Sequence, residues 1–283
     1  MIVALPLACL GGFDLFKTHQ AWNKYLNRVK AQEGLILLSA KKEDGHFILS
    51  GLRDPLAADP LSLLGKEEKK RLQLKSHWQP FFSLDPNFIL MRAEQLLKPP
   101  STIELTLSGS WLFAKGRASQ DWIDTFQKAG PAIAGISRIS KTGIDNIDRE
   151  KMDNVVKELA KVRIYFEKNS TVLIKGQDNT MAHVVEIIKI IQDLQSVLNT
   201  PVGVIILGHT DSFGSEQANH RLSRNRAEFI FNSLIVRNIN PFLISLAGVG
   251  TKLSLSLETS EEDRQFNRAV TFKTFYTPLT KGN

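Results

Sequence analysis

The chain has 283 residues, 42% hydrophobic and 23% charged, a makeup that fits a globular protein and excludes a disordered one. Its formal charge of +7 is unevenly spread: residues 1–161 hold 23 Lys/Arg against 18 Asp/Glu, and residues 162–275 hold 12 against 11. The front-half bases alternate with acids, as in GKEEKKRLQLK, which reads as a solvated helix face and argues against a nucleic-acid partner. The single cysteine, Cys9, excludes an internal disulfide and a cysteine-built metal site.

Residues 1–13, MIVALPLACLGGF, are apolar but shorter than the roughly twenty residues of a membrane helix, and they lack the basic start of a signal peptide. Two readings compete, a buried element start and the distal end of a membrane anchor. The anchor remnant is favoured because AWNKYLNRVK follows, an aromatic and basic segment of the kind that leaves a bilayer.

Residues 14–30 place Phe16, Trp22, Leu26 and Val29 near helical spacing, so a helix is expected. Two apolar runs separated by KKEDG then signal a hairpin, and prolines punctuate the chain before a charged helix expected around 60–76. A similar plan follows: DPNFILMRAEQLLKPP as a helix stopped by Pro99 and Pro100, a hairpin turning at Ser108–Gly109, and another helix. Gly51 and Gly116 occupy matching places 65 residues apart, which reads as an internal repeat. This pattern resembles the BON domain, a small α+β module of periplasmic and membrane-attached bacterial proteins. The resemblance implies two degenerate copies, over 14–80 and 81–145, serving interaction near a membrane, although a plain α+β spacer would show the same pattern. A linker helix is expected over 146–161.

From residue 162 the signals sharpen. VRIYF reads as a strand, and a long helix follows with Val184, Ile187, Ile188, Ile191, Leu194 and Leu198 on one face. VGVIILG is the near-continuous β-branched run of a strand buried on both faces. A helix N-capped by Ser215, a strand in PFLISLAGVG, a polar loop over 251–266 and a last strand in NRAVTFKTFY complete the order β-α-β-α-β-β, with helices on one sheet face. The fold class expected is α+β.

The stretch GHTDSFGSEQANHRLSRNRA, residues 208–227, carries the chemistry. Zinc needs three or four convergent ligands, and His209, Asp211 and His220 do not offer that spacing. Neither a G-x-S-x-G elbow nor a G-x-x-x-x-G-K-[ST] phosphate loop is present, so no catalytic constellation, metal or cofactor is expected. Asp211 follows a buried strand, while Asn219, Ser223 and Arg226 fall at i, i+4 and i+7 on the next helix. An aspartate and an arginine together can hold a zwitterion, the one taking an ammonium and the other a carboxylate. Spacing alone equally allows Asp211 and Arg226 to pair with each other.

The stretch closely resembles the peptidoglycan-binding signature of the OmpA-like domain, shared with flagellar stator proteins and Pal-type lipoproteins. Gly208, His209, Thr210, Asp211, Gly214, Asn219, Leu222, Ser223, Arg226 and Ala227 all stand where that signature has them. The resemblance covers 162–277. It implies that Asp211 and Arg226 grip the diaminopimelate of the stem peptide, that Asn219 and Thr210 shape the pocket, and that Arg268 matches the first arginine of the family's Asn-Arg-Arg ending. The second arginine of that ending is Ala269, and the loop 251–262 lacks the family's proline and asparagine.

The function implied is a non-enzymatic periplasmic protein of a Gram-negative bacterium. It would be membrane-associated, bind diaminopimelate-type peptidoglycan noncovalently, tether a membrane to the wall and have envelope protein partners. The alternative is a structural or secretion-associated assembly protein whose OmpA-like domain binds protein and not the wall.

Overall fold

The computed structural model describes residues 8–276, with side chains from residue 15 onward. Of the segment 1–13 expected as an anchor remnant, residues 1–7 lie outside the described part and residues 8–13 begin the first helix. Among the described residues, no helix is long and apolar enough to cross a membrane. The architecture is mixed α+β, and the chain divides into two compact units, 1–116 with 122–144 and 117–121 with 145–283.

The first unit contains two successive segments with one element order, helix–strand–strand–helix–strand. In the first segment, α1 (Ala8–Ala31) precedes β1 (Leu35–Glu43), β2 (His46–Arg53), α2 (Lys66–Arg71) and β3 (Leu74–Pro80). In the second, α3 (Pro86–Leu97) precedes β4 (Ile103–Ser108), β5 (Trp111–Ala118), α4 (Gln120–Ala129) and β6 (Arg138–Asn146). Each sheet has three strands with the second in the middle. Gly51 and Gly116 are required where they stand, because a Cβ there would lie 2.2 Å from the Ile36 carbonyl oxygen and 1.9 Å from that of Thr102. Trp22, Tyr25 and Val29 of α1 pack with Phe47, Leu49 and Phe88, while Phe16, expected on the same face, is exposed.

The charged helix expected around 60–76 is shorter than that. It ends at Arg71, and Leu74–Pro80 runs parallel to β2 as a strand. Leu74, Ser76 and Trp78 alternate with more exposed neighbours, a period of two that overrides the helix-forming charges before it.

The second unit has α5 (Ile147–Lys161), β7 (Arg163–Tyr165), α6 (Asp178–Val197), β8 (Val202–His209), α7 (Glu216–Ile235), β9 (Ile244–Gly250), α8 (Glu261–Asn267) and β10 (Ala269–Tyr276). Its sheet runs β7-β10-β8-β9, with β8 and β9 parallel and β10 antiparallel to both neighbours. Val202, Val204 and Ile206 of β8 enter one core with the apolar faces of the helices, including Val184, Ile188, Ile191 and Ile230. Two expectations are corrected. The segment expected as a linker buries Met152, Val155 and Leu159 in that core, so α5 is a structural member of this unit. The loop expected over 251–266 ends in α8, whose start is a capping box between Ser260 and Asp263.

Candidate functional site

The site begins where β8 ends. Gly208 allows α7 to lie directly on β8, since a Cβ there would sit 1.8 Å from the Ser223 carbonyl oxygen. Ser223 then ties α7 to β9, accepting the Gly250 N–H at 2.9 Å and donating to the His220 carbonyl at 2.9 Å. Thr210 continues the ladder with its N–H on the Gly250 carbonyl at 3.1 Å. Ser215 caps α7 by accepting from the Ala218 N–H, which turns Asn219, Ser223 and Arg226 inward, and all three are buried.

His209 is a structural residue. Its Nδ1 lies 2.8 Å from the Leu253 carbonyl, which can only accept, so Nδ1 carries the proton; Nε2 lies 2.9 Å from the Thr271 hydroxyl and accepts from it in the neutral ring. Burial disfavours the imidazolium and holds its pKa below the ordinary value. With both nitrogens engaged, His209 offers no free metal ligand, and no metal-binding group of three or more acids, histidines or cysteines occurs among the described residues.

Arg226 is wholly enclosed. Its guanidinium donates to three backbone carbonyls, those of His209 at 2.8 Å, Ser170 at 3.0 Å and Glu167 at 3.1 Å, and its centre stands 5.3 Å from the Phe166 ring. Desolvation pulls its pKa down to about 10, against the attraction of Asp211, so the group stays charged at neutral pH. Arg226 is thus held inside the fold by backbone carbonyls and presents no exposed surface.

Nor do Asp211 and Arg226 form the direct pair that spacing allowed. Asp211 Oδ2 is bonded instead by Arg268 at 3.1 Å, and the same Arg268 nitrogen bonds Glu261 at 2.7 Å. Arg268 comes from the turn between α8 and β10, so the fold brings together residues 57 positions apart in the chain. Burial works against its charge, but the two carboxylates prevail and raise its pKa further. Thr210 Oγ1 and Arg268 Nε are buried with no hydrogen-bond partner among the described residues. Asn219 lines a neighbouring cavity of about 450 Å³ together with Lys168, Asn169, Phe213 and Leu222.

Two site residues were not anticipated from the sequence. The Glu258 carboxylate accepts the Ser212 N–H at 3.0 and 3.1 Å, the Ser212 hydroxyl at 2.5 Å and the Asn267 amide at 2.8 Å. Partial burial opposes its ionisation, but these donors hold its pKa below the usual carboxylate range. Glu261 shared a legible signal: Ser-x-x-Asp starts a helix at 261 and places Glu261 on the same face as Arg268, seven residues on.

With the geometry in place, the comparisons can be set beside it. Residues 165–268 match the OmpA family, a span that takes in Thr210, Asp211, Asn219, Arg226, Glu258, Glu261 and Arg268. The second unit carries an OmpA-like domain. The probable lipoprotein YiaD of Escherichia coli (strain K12) is 28% identical over 118 residues, 42% of this chain and 50% of that protein. The chain thus spans about half the length of the curated relative it matches. Among solved structures, the peptidoglycan-associated lipoprotein from Burkholderia pseudomallei is 20% identical with a TM-score of 0.36, covering 41% of this chain and 92% of that one. The periplasmic domain of Helicobacter pylori MotB (residues 78–256) is 27% identical with a TM-score of 0.31, covering 42% of this chain and 72% of the other. Each of these similarities covers less than half of the present chain, and the OmpA-like domain is the part matched by the family.

Proposed function

We propose that this is a non-catalytic envelope protein of the periplasm that binds diaminopimelate-type peptidoglycan noncovalently through its OmpA-like domain and holds a membrane to the cell wall. The observation that carries the reading is the convergence of Asp211 and Arg268 at 3.1 Å, with the buried charge of Arg226 near enough to act on both. A diaminopimelate side chain ends in an ammonium and a carboxylate on one carbon. Asp211 takes the ammonium, while Arg268 and the positive field of Arg226 take the carboxylate. Thr210, whose hydroxyl has no partner among the described residues, and Asn219 at the adjacent cavity shape the pocket around that end. The two repeated α+β segments of the first unit serve as BON-like modules that meet the membrane surface or other envelope proteins.

The experiment is cosedimentation of the full chain with purified diaminopimelate-type sacculi. The wild type is expected in the pellet and Asp211→Ala in the supernatant, whereas unimpaired retention of Asp211→Ala overturns the assignment of the site. A second reading, an assembly protein whose OmpA-like domain binds protein, is favoured by one feature. The second arginine of the family's ending is here Ala269, fully buried in the sheet, so β10 supplies one cation fewer. Wild-type protein that stays in the supernatant is the outcome that supports it.

A further inference from the structure

Two donors of this site, the Ser212 N–H and one nitrogen of Arg268, already face carboxylates of this chain, while Arg268 Nε is buried without a partner among the described residues. The Ser212 N–H, in the turn between β8 and α7, is covered by both oxygens of Glu258. Arg268 is closer to Glu261, at 2.7 Å, than to Asp211, at 3.1 Å. Both glutamates belong to the segment that joins β9 to α8 and its first turn. That segment contributes nothing to the core of the unit: Leu253, Leu255 and Leu257 are exposed, the last at 85%. It is fixed by polar contacts, among them the His209 ring on the Leu253 carbonyl at 2.8 Å, the Ser212 donors on Glu258, and the Asn267 side chain on the Leu255 and Ser256 N–H groups at 2.6 and 3.0 Å. Segments held by few apolar contacts open at low free-energy cost. Glu261 is half exposed and accepts from Arg264 at 3.1 Å as well as from Arg268, while Glu258 is mostly covered.

We infer that Glu258 and Glu261 are specificity-determining residues of this pocket, competing with the ligand's carboxylate for the Ser212 N–H and for Arg268. This rests on the wall-binding reading of the same site. A ligand carboxylate gains only the difference between its own contacts and those it displaces, so its contribution to affinity is discounted. The ammonium end displaces only the single Arg268 contact on Asp211, at 3.1 Å, and it meets Asp211 with two further acids nearby. The pocket therefore recognises its ligand mainly by the ammonium, and it tolerates a stem peptide whose diaminopimelate carboxylate is amidated.

The test uses the full chain and two soluble muropeptides, disaccharide tripeptides with free or amidated diaminopimelate, titrated calorimetrically against wild type and the Glu258→Gln/Glu261→Gln variant. Removing two competing charges while keeping their shape is expected to tighten binding of the free-carboxylate muropeptide by about tenfold or more and that of the amidated one by much less. Equal affinities in wild type and variant overturn the inference and leave wall binding standing. If neither protein binds either muropeptide, the wall-binding reading falls and the inference falls with it. Should the double variant fail to fold, Ser212→Ala is the second test. It removes one hydrogen bond to Glu258 in an exposed turn, and tighter binding of the free-carboxylate muropeptide supports the competition, whereas unchanged binding overturns it.

Discussion

Arg226 shows how much of a binding site is scaffold. Its three donations to carbonyls tie the end of β8 to the 167–170 segment, and Arg226→Ala removes all three and leaves a void. Charge-assisted hydrogen bonds contribute about 1.5–3 kcal/mol each at most, and buried losses of this kind add incompletely, so a destabilisation of about 3 kcal/mol or more is expected in urea unfolding. His209 makes a second prediction, with a definite sign. Its folded pKa lies below the ordinary imidazole value of 6.5, so above that pH both folded and unfolded forms are neutral and its contribution is complete. As pH falls below that value, the unfolded chain binds a proton that the folded form resists, and stability declines. The acids with lowered pKa, Glu258, Glu261 and Asp263, start from 4.5 or below and titrate in a lower range. Unfolding free energy compared at pH 7.5 and pH 5.5 should therefore fall more in the wild type than in His209→Asn. Equal declines would contradict the neutral, buried assignment.

At the scale of elements, the site depends on how closely α7 can approach the sheet. Gly208→Ala would place a methyl group 1.8 Å from the Ser223 carbonyl, so helix or strand must move. The expected outcome is a loss of about 2–3 kcal/mol, read as a drop in melting temperature, together with weakened wall binding as Asn219 and Ser223 shift. The same scale shows what could be read beforehand. Strands buried on both faces and helices with one apolar stripe announce themselves by composition, and so β8, α6 and α7 were legible, as was the order of the second unit. The strand β3 was hidden behind a run of helix-forming charges, because its pairing with β2 is a tertiary effect that local propensity does not contain. The role of α5 was hidden in a similar way: its charged face suggested a solvated linker, while the buried stripe of Met152, Val155 and Leu159 is only three residues wide. Within the site, Asp211 and Arg226 stood out by spacing along one strand–turn–helix. The contact of Arg268 with Asp211 is set by the sheet order β10-β8, which spacing does not encode, although the family resemblance pointed to Arg268.

On the scale of the whole molecule, the two units differ in what they bury. The first repeats one helix–strand–strand–helix–strand order with a glycine at the same strand crossing in each copy, a layout suited to presenting surfaces and lacking any cluster of metal-binding groups among its described residues. The second gathers its buried polar residues, His209, Thr210, Asp211, Asn219, Ser223, Arg226, Asn267, Arg268 and Thr271, at one end of the sheet. Burial of that many polar groups is costly unless they are hydrogen-bonded, and most of these are; the proposed pocket for a doubly charged side-chain end fits their chemistry. The most direct measurement is cosedimentation of the full chain with purified diaminopimelate-type sacculi, wild type beside Asp211→Ala. Pelleting of the wild type and loss of the variant, with both folded by circular dichroism, is the result predicted. Equal partition of the two proteins, in either fraction, would contradict it.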